Sequence, residues 1–219
     1  MSTAGENQDR TAPAHGKRRG NGWIYLTIAL WATAVSAGSV ELWRYQLTPG
    51  ATPAPAPQAW PTDSAVPVHP GKPVLLMVAH PQCACTRASL NELRRMIVRF
   101  NALENPPVLY LSVVPTKGSR GDAIDGPVLR NAASIEGLNV VIDQDGLFAK
   151  RLGATTSGHT LLYGANGELL YSGGITAARG HEGDAAGQDA ILAALYGRPV
   201  ATHEQPVFGC GLHKAAASS

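Results

Sequence analysis

The sequence predicts an α/β domain, a mixed central sheet flanked by helices, carried behind a single N-terminal transmembrane helix. Three observations predict it. An uncharged run occupies residues 23–40, apolar segments of strand length alternate with helical patterns from Gly71 onward, and Asn166-Gly167 separates two late apolar runs. A length of 219 residues allows one ordinary domain with accessory segments rather than several domains.

The composition is 16% charged and 44% hydrophobic, with 24 Gly and 16 Pro. Average domains carry nearer a quarter charged residues, so part of the chain must be uncharged for a reason of its own. The net charge of +2 resides in residues 1–22, which hold four Lys/Arg against two Asp/Glu. The remainder is neutral, and no basic field is present to hold a nucleic acid.

Taken in order, residues 1–22 are polar, contain Lys17-Arg18-Arg19, and read as a disordered cytoplasmic leader. The run from Trp23 to Val40 would make about 27 Å of helix, close to a hydrocarbon core of about 30 Å. Trp23, Tyr25, Trp43 and Tyr45 cluster at its ends as interfacial aromatics do. A transmembrane helix over 23–43 in contact with the lipid bilayer is therefore expected. The basic residues before it place the N-terminus in the cytoplasm and the rest of the chain in the periplasm or its equivalent. A cleaved signal peptide is the alternative, since Ala34, Ser36 and Ala37 are small enough for a peptidase.

Residues 44–70 form a Pro/Ala-rich linker, with seven prolines between 48 and 70. Such a stretch is expected to be an extended spacer that lifts the domain off the membrane. In the domain, assigned to 71–200, Val74–Ala79 is a continuous apolar run typical of a strand buried on both faces. Thr86–Asn101 follows with Leu90, Leu93, Ile97 and Phe100 at helical spacing, and Val108–Val114 is a second buried strand. This is a βαβ unit with parallel strands. The stretch 115–126 is rich in turn residues. A short helix is expected over Pro127–Ile135, a strand over Asn139–Asp143 and a helical turn over Leu147–Leu152. His159–Tyr163 and Leu169–Ser172 flank the Asn-Gly turn as a hairpin, and Gln188–Tyr196 is a final helix ended by Gly197. Residues 201–219 are a tail carrying Cys210.

Cysteines number three, too few for a disulfide scaffold and odd in count. Cys83 and Cys85 fall where the first strand hands over to the first helix. Unpaired amides and the helix dipole there favour a thiolate, which is both a nucleophile and a metal ligand.

The order βαβ, an excursion, a hairpin and a final helix resembles the thioredoxin fold over about residues 71–200. The segment LLMVAHPQCACTRASLNEL is similar to the active-site stretch of membrane-tethered thioredoxin-like proteins, where Cys-x-x-Cys precedes a basic residue. The stretch ATTSGHTLLYGANGELLYSGGITAARGHEGD resembles thioredoxin-like bacterial proteins of the RedB group, related in fold to TlpA-like and Sco-like proteins.

The sequence departs from that pattern in three places. The spacing is Cys-x-Cys, with Gln82 where the leading cysteine would fall. A disulfide across one residue would be strained and readily reduced. The family's proline before the hairpin is missing, since none occurs between Pro127 and Pro199, and His159 stands at about that place. An imidazole there would act as a base beside the thiols or complete a soft metal site. Cys210 lies on what reads as a mobile tail, free to act as a resolving thiol or a third sulfur ligand.

The resemblance implies a membrane-tethered extracytoplasmic thiol–disulfide oxidoreductase acting on thiols or disulfides of partner proteins without a cofactor. Its catalytic residues would be Cys83, Cys85, His159 and Cys210, with Cys83 the nucleophile on the exposed side of the turn. The alternative is a Sco-like copper-binding protein with Cys83, Cys85 and His159 as ligands. A third reading is a non-catalytic interaction domain using the polar Gly173–Gly187 loop, where His181, Glu182 and Asp184 are candidate contacts. His80, before Pro81, reads as a structural turn residue.

Overall fold

The computed structural model describes residues 21–61, 66–67, 69–115 and 126–212. Residues 1–20 of the predicted leader (1–22), residues 116–125 of the turn-rich stretch (115–126) and the tail beyond 212 lie outside the described residues. The chain divides into two units, residues 1–41 and 42–219.

Helix α1 (Gly22–Leu47) has 26 residues and is exposed along its length. It is long and apolar enough to cross a membrane, with a mean hydropathy of 1.4 in its most apolar window. Three of its hydroxyls are satisfied by carbonyls within the helix, as suits a hydrocarbon environment. Thr27 Oγ1 donates to the Ile24 carbonyl, Thr33 Oγ1 to Ala29 and Ser39 Oγ to Val35, each at 2.8 Å.

The second unit is built on a six-stranded sheet. Its elements are β1 (Val74–Ala79), α2 (Ala84–Phe100), β2 (Val108–Val113), α3 (Pro127–Ala133), β3 (Leu138–Ile142), α4 (Leu147–Arg151), β4 (His159–Tyr163), β5 (Leu169–Gly173), α5 (Ala186–Leu195) and β6 (Glu204–Gln205). The order across the sheet is β3-β2-β1-β4-β5-β6. Strand β1 runs parallel to β2 and antiparallel to β4, and every one of its six residues is buried. That explains its unbroken apolar sequence: both faces are covered, so no polar alternation is allowed.

Leu75, Met77 and Ala79 point to one face, packed by Leu90, Leu93, Met96 and Phe100 of α2 together with residues of α3 and α5. Val74, Leu76 and Val78 point to the other, with Tyr110, Leu161 and Tyr163, covered by Phe148, Ala149 and Leu152. The predicted elements recur with their ends displaced by at most four residues, and Val74–Ala79 and His159–Tyr163 recur unchanged. The addition is β6, two polar residues that pair in parallel with β5 at Ser172–Glu204 and Gly173–Gln205. A pair that short carries no periodicity in sequence.

The proline-rich segment differs from its expected role as a free spacer. Residues 50–60 lie along the domain, and their backbone polar groups are paired to it. Gly50 N donates to the Val207 carbonyl at 2.8 Å, Ala54 N to Gly153 at 3.0 Å and Trp60 N to Gly167 at 2.8 Å. Trp60 is buried in the second core face, edge-on to Tyr163 at 4.9 Å and to Phe148 at 6.5 Å between ring centroids. Prolines suit this role because an extended strap needs few amide donors and loses little entropy on docking. Trp60→Ala is expected to lower stability by about 3–5 kcal/mol, measured by denaturant unfolding, whereas a free spacer would show almost no change.

Candidate functional site

The site forms where β1 ends. His80, Pro81 and Gln82 make a turn closed by the Cys83 amide donating to the His80 carbonyl at 3.1 Å. Cys83 then sits at the N-cap of α2 with extended backbone angles, and Cys85 lies in the first helical turn. The segment before β4 approaches from across the sheet. Gly158 N donates to the Val78 carbonyl at 2.8 Å, and the Ser157 hydroxyl accepts from the His80 amide at 2.7 Å. That hydroxyl lies 2.6 Å from Thr86 Oγ1. Thr86 Oγ1 donates to the Cys83 sulfur, so the Ser157 hydroxyl donates in turn to Thr86 while accepting from the His80 amide.

The tail, expected to be mobile, is docked up to Leu212. Ser157 N donates to the Cys210 carbonyl at 2.8 Å, Leu212 N donates to Thr155 at 2.9 Å, and Thr156 bridges Gly211 in antiparallel fashion. Gly209 permits this approach, since a Cβ there would sit 1.9 Å from the Ser157 carbonyl oxygen. The pairing brings Cys210 Sγ to 2.9 Å from Cys83 Sγ, with the Cys210 amide 3.4 Å from the same sulfur. All three cysteines are free thiols.

Exposure runs opposite to the expected order. Cys83 is 1% exposed, Cys85 is half-buried and Cys210 is exposed. The tail covers Cys83, while the first helical turn leaves Cys85 at the rim. Burial works against a Cys83 thiolate. The Cys210 side chain, the Thr86 side chain and the backbone amides of both residues outweigh it and bring the Cys83 pKa down to about 7. Burial, and then the neighbouring Cys83 sulfur, push Cys210 up to about 12. Burial and the charge of Cys83 also raise Cys85. The pair thus loses its first proton near neutral pH, and Cys210 then donates to the Cys83 thiolate.

Arg179 supplies positive charge. It favours the anionic forms of Cys85 and Cys210. Its guanidinium donates from Nη1 to the Gly209 carbonyl and from Nε to Thr48 at 3.1 Å, and it lies 5.0 Å from the Tyr45 ring centre.

His159 is not among these groups. It opens β4 fully buried, its Nε2 lies 2.8 Å from Ser172 Oγ on β5, and its Nδ1 has no partner. Burial pushes its pKa down to about 4, so it is neutral at pH 7 and offers the thiols no cationic charge. Among the described residues no group of three or more His, Cys, Asp or Glu side chains is disposed to hold a metal ion. In the polar loop, Glu182 accepts from Asn91 at 2.7 Å and from Arg95 at 2.9 Å, which fastens the loop to α2. Beneath it Glu92, itself buried, accepts from Arg95, from the Gly183 amide and from Gln188.

Ser157, Thr86 and Arg179 are the contributors that the sequence reading missed. The Gly-Cys-Gly of the tail hinted at a close backbone approach. Nothing local marked Arg179, whose partners come from residues 45–48 and from the tail.

No family model matches this sequence, and no curated protein matches it. Solved structures do. A hypothetical protein of Sinorhizobium meliloti is 19% identical, with a TM-score of 0.50 over 67% of this chain and 81% of that one. An uncharacterized conserved protein of Geobacillus kaustophilus is 17% identical, with a TM-score of 0.52 over 78% and 95%. The thioredoxin domain of a thiol-disulfide oxidoreductase from Bacteroides vulgatus is 18% identical, with a TM-score of 0.37 over 69% and 97%. The sheet order, the antiparallel β4–β5 hairpin and the cysteines at the β1–α2 junction define a thioredoxin-like fold behind an apolar N-terminal helix.

Thiolate absorbance of the reduced protein is expected to rise through a one-thiolate step centred near pH 7. The step should vanish in Cys83→Ser and move to higher pH in Thr86→Val and Cys210→Ala, which remove donors to the sulfur. For His159, the folded pKa lies below the unfolded value of about 6.5. The unfolded chain therefore binds more protons between them, and stability falls as pH drops from about 6.5 towards 4, by up to about 3 kcal/mol. Urea midpoints for His159→Gln measured against the parent across that window should lack this component.

Proposed function

We propose that this chain is a membrane-tethered, extracytoplasmic thiol–disulfide oxidoreductase of the RedB-like kind, with Cys83 and Cys210 as its two-electron couple. The observation that carries the proposal is the 2.9 Å approach of the two sulfurs, held by backbone pairing of residues 210–212 with residues 155–157. Disulfide formation removes two electrons and, from the thiolate–thiol form of the pair, one proton, and it needs only a small closure of the sulfurs. The Cys-x-Cys pairing considered from sequence would instead close a strained ring across a single residue. Stabilisation of the Cys83 thiolate supports the same reading, since thiolates are the attacking and leaving species in exchange. Extracytoplasmic placement is supported by the basic residues that precede α1. Substrates on this reading are thiols or disulfides of other exported proteins.

The test is to equilibrate the full chain, in detergent, in glutathione buffers of graded potential and to count free thiols by mass after maleimide capture. A two-thiol transition is expected in the parent and in Cys85→Ser, and its loss in Cys83→Ser and in Cys210→Ser. A transition that survives in Cys210→Ser would assign the couple to Cys83 and Cys85. Stoichiometric Cu(I) binding that depends on His159 would replace the oxidoreductase reading with the copper one.

A further inference from the structure

We infer that Cys210, the tail cysteine, is the sulfur at which this protein exchanges with its partner, and that Cys83 is the internal sulfur expelled and recaptured behind it. The inference rests on the Cys83–Cys210 couple proposed above and says which half of it meets a substrate. It reverses the order suggested by position in the motif, where the cysteine at the strand–helix junction meets the substrate first.

Access comes first. Exchange requires the incoming thiolate to approach a disulfide sulfur along the S–S axis from the far side. Cys83 is 1% exposed beneath the tail, at the N-cap of α2 and against the Thr86 and Cys85 side chains, so an incoming thiolate has no open approach to it. Cys210 is exposed and is followed by an exposed Gly211, which has no side chain to shield it.

The leaving group points the same way. When a partner thiolate bonds to Cys210 Sγ, the Cys83–Cys210 bond breaks and its electron pair departs on Cys83 Sγ. No other oxidant or proton donor enters the step: one thiolate is consumed, one is released, and one disulfide replaces another. The thiolate left behind keeps the Cys210 amide, 3.4 Å away, and the Thr86 donors that already favour it. Attack at Cys83 would instead expel Cys210, which has no such set of donors and whose thiol is held protonated to high pH. Exchange is faster when the thiol that leaves has the lower pKa.

Position and charge complete the picture. Backbone pairing of the Cys210 carbonyl with Ser157 and of the Leu212 amide with Thr155 holds the tail, so the sulfur stays beside Cys83 while a partner is attached. Arg179 is anchored through the Gly209 carbonyl, and its charge favours an anionic sulfur at Cys85 and Cys210, the side from which a partner thiolate arrives. The partner class that fits is an accessible cysteine thiol on another polypeptide or on a small peptide.

The test uses the full chain in detergent as Cys85→Ser, which leaves the couple as the sole reactive pair. The protein is oxidised, exposed to reduced glutathione for short intervals, quenched in acid, denatured, capped with N-ethylmaleimide and mapped by mass spectrometry. The first adduct to appear should carry glutathione on the Cys210 peptide and maleimide on the Cys83 peptide. Glutathione appearing first on Cys83 would overturn the inference and leave the proposed couple intact. Failure to form a Cys83–Cys210 disulfide at the oxidation step would overturn both, and is read before glutathione is added. Arg179→Gln should slow the appearance of the adduct, with Arg179→Lys recovering part of the rate; equal rates in all three would remove Arg179 from the inference.

Discussion

The two main-chain hydrogen bonds that seat residues 209–212 on the segment before β4 are the constraint on which the site depends. They join Thr155–Ser157 in the middle of the domain sequence to Cys210–Leu212 at its far end, and they decide which sulfurs meet. Ser157 is their pivot. Its amide binds the Cys210 carbonyl, and its hydroxyl ties the end of β1 to the first turn of α2. A glycine at 209 is the steric condition for that contact. Without the seating, Cys83 would be an open helix N-cap thiol and Cys210 a tail residue.

The same seating sets the balance of charge. Burying a thiolate is unfavourable, and for Cys83 that is the largest single influence. Several modest hydrogen bonds together reverse it, lowering its pKa from 9.0 to about 7. Cys210 shows the reciprocal effect, because the proton kept out of Cys83 is held on its neighbour. Two chemically identical side chains thus become unlike through position alone.

Away from the thiols, the sheet is covered on one face by three helices and on the other by α4, the tail and the proline-rich strap. The strap therefore belongs to the packed domain. Trp60 fills the space over Tyr163 and Phe148. Gly50 pairs with Val207 next to the cysteine tail, and Arg179 binds Thr48 and Gly209 together. Residues 45–51 and 206–210 are consequently held by a shared set of contacts, which ties the start of the strap to the seating of Cys210.

By itself the sequence determined the elements whose cause is local. The apolar run of β1, the helical spacing of Leu90, Leu93, Ile97 and Phe100, the Asn-Gly turn and the uncharged α1 each follow from burial or turn geometry within a few residues. Cysteines at a strand-to-helix junction were legible for the same reason. Tertiary structure alone decided that Cys83 pairs with Cys210, that His159 turns to Ser172, and that a proline-rich segment packs where a free spacer was expected. Those outcomes depend on backbone groups meeting across long separations, and a main-chain donor or acceptor has no signature in residue identity. Side-chain chemistry announces what a residue can do, while the sheet and its crossing segments determine what it meets.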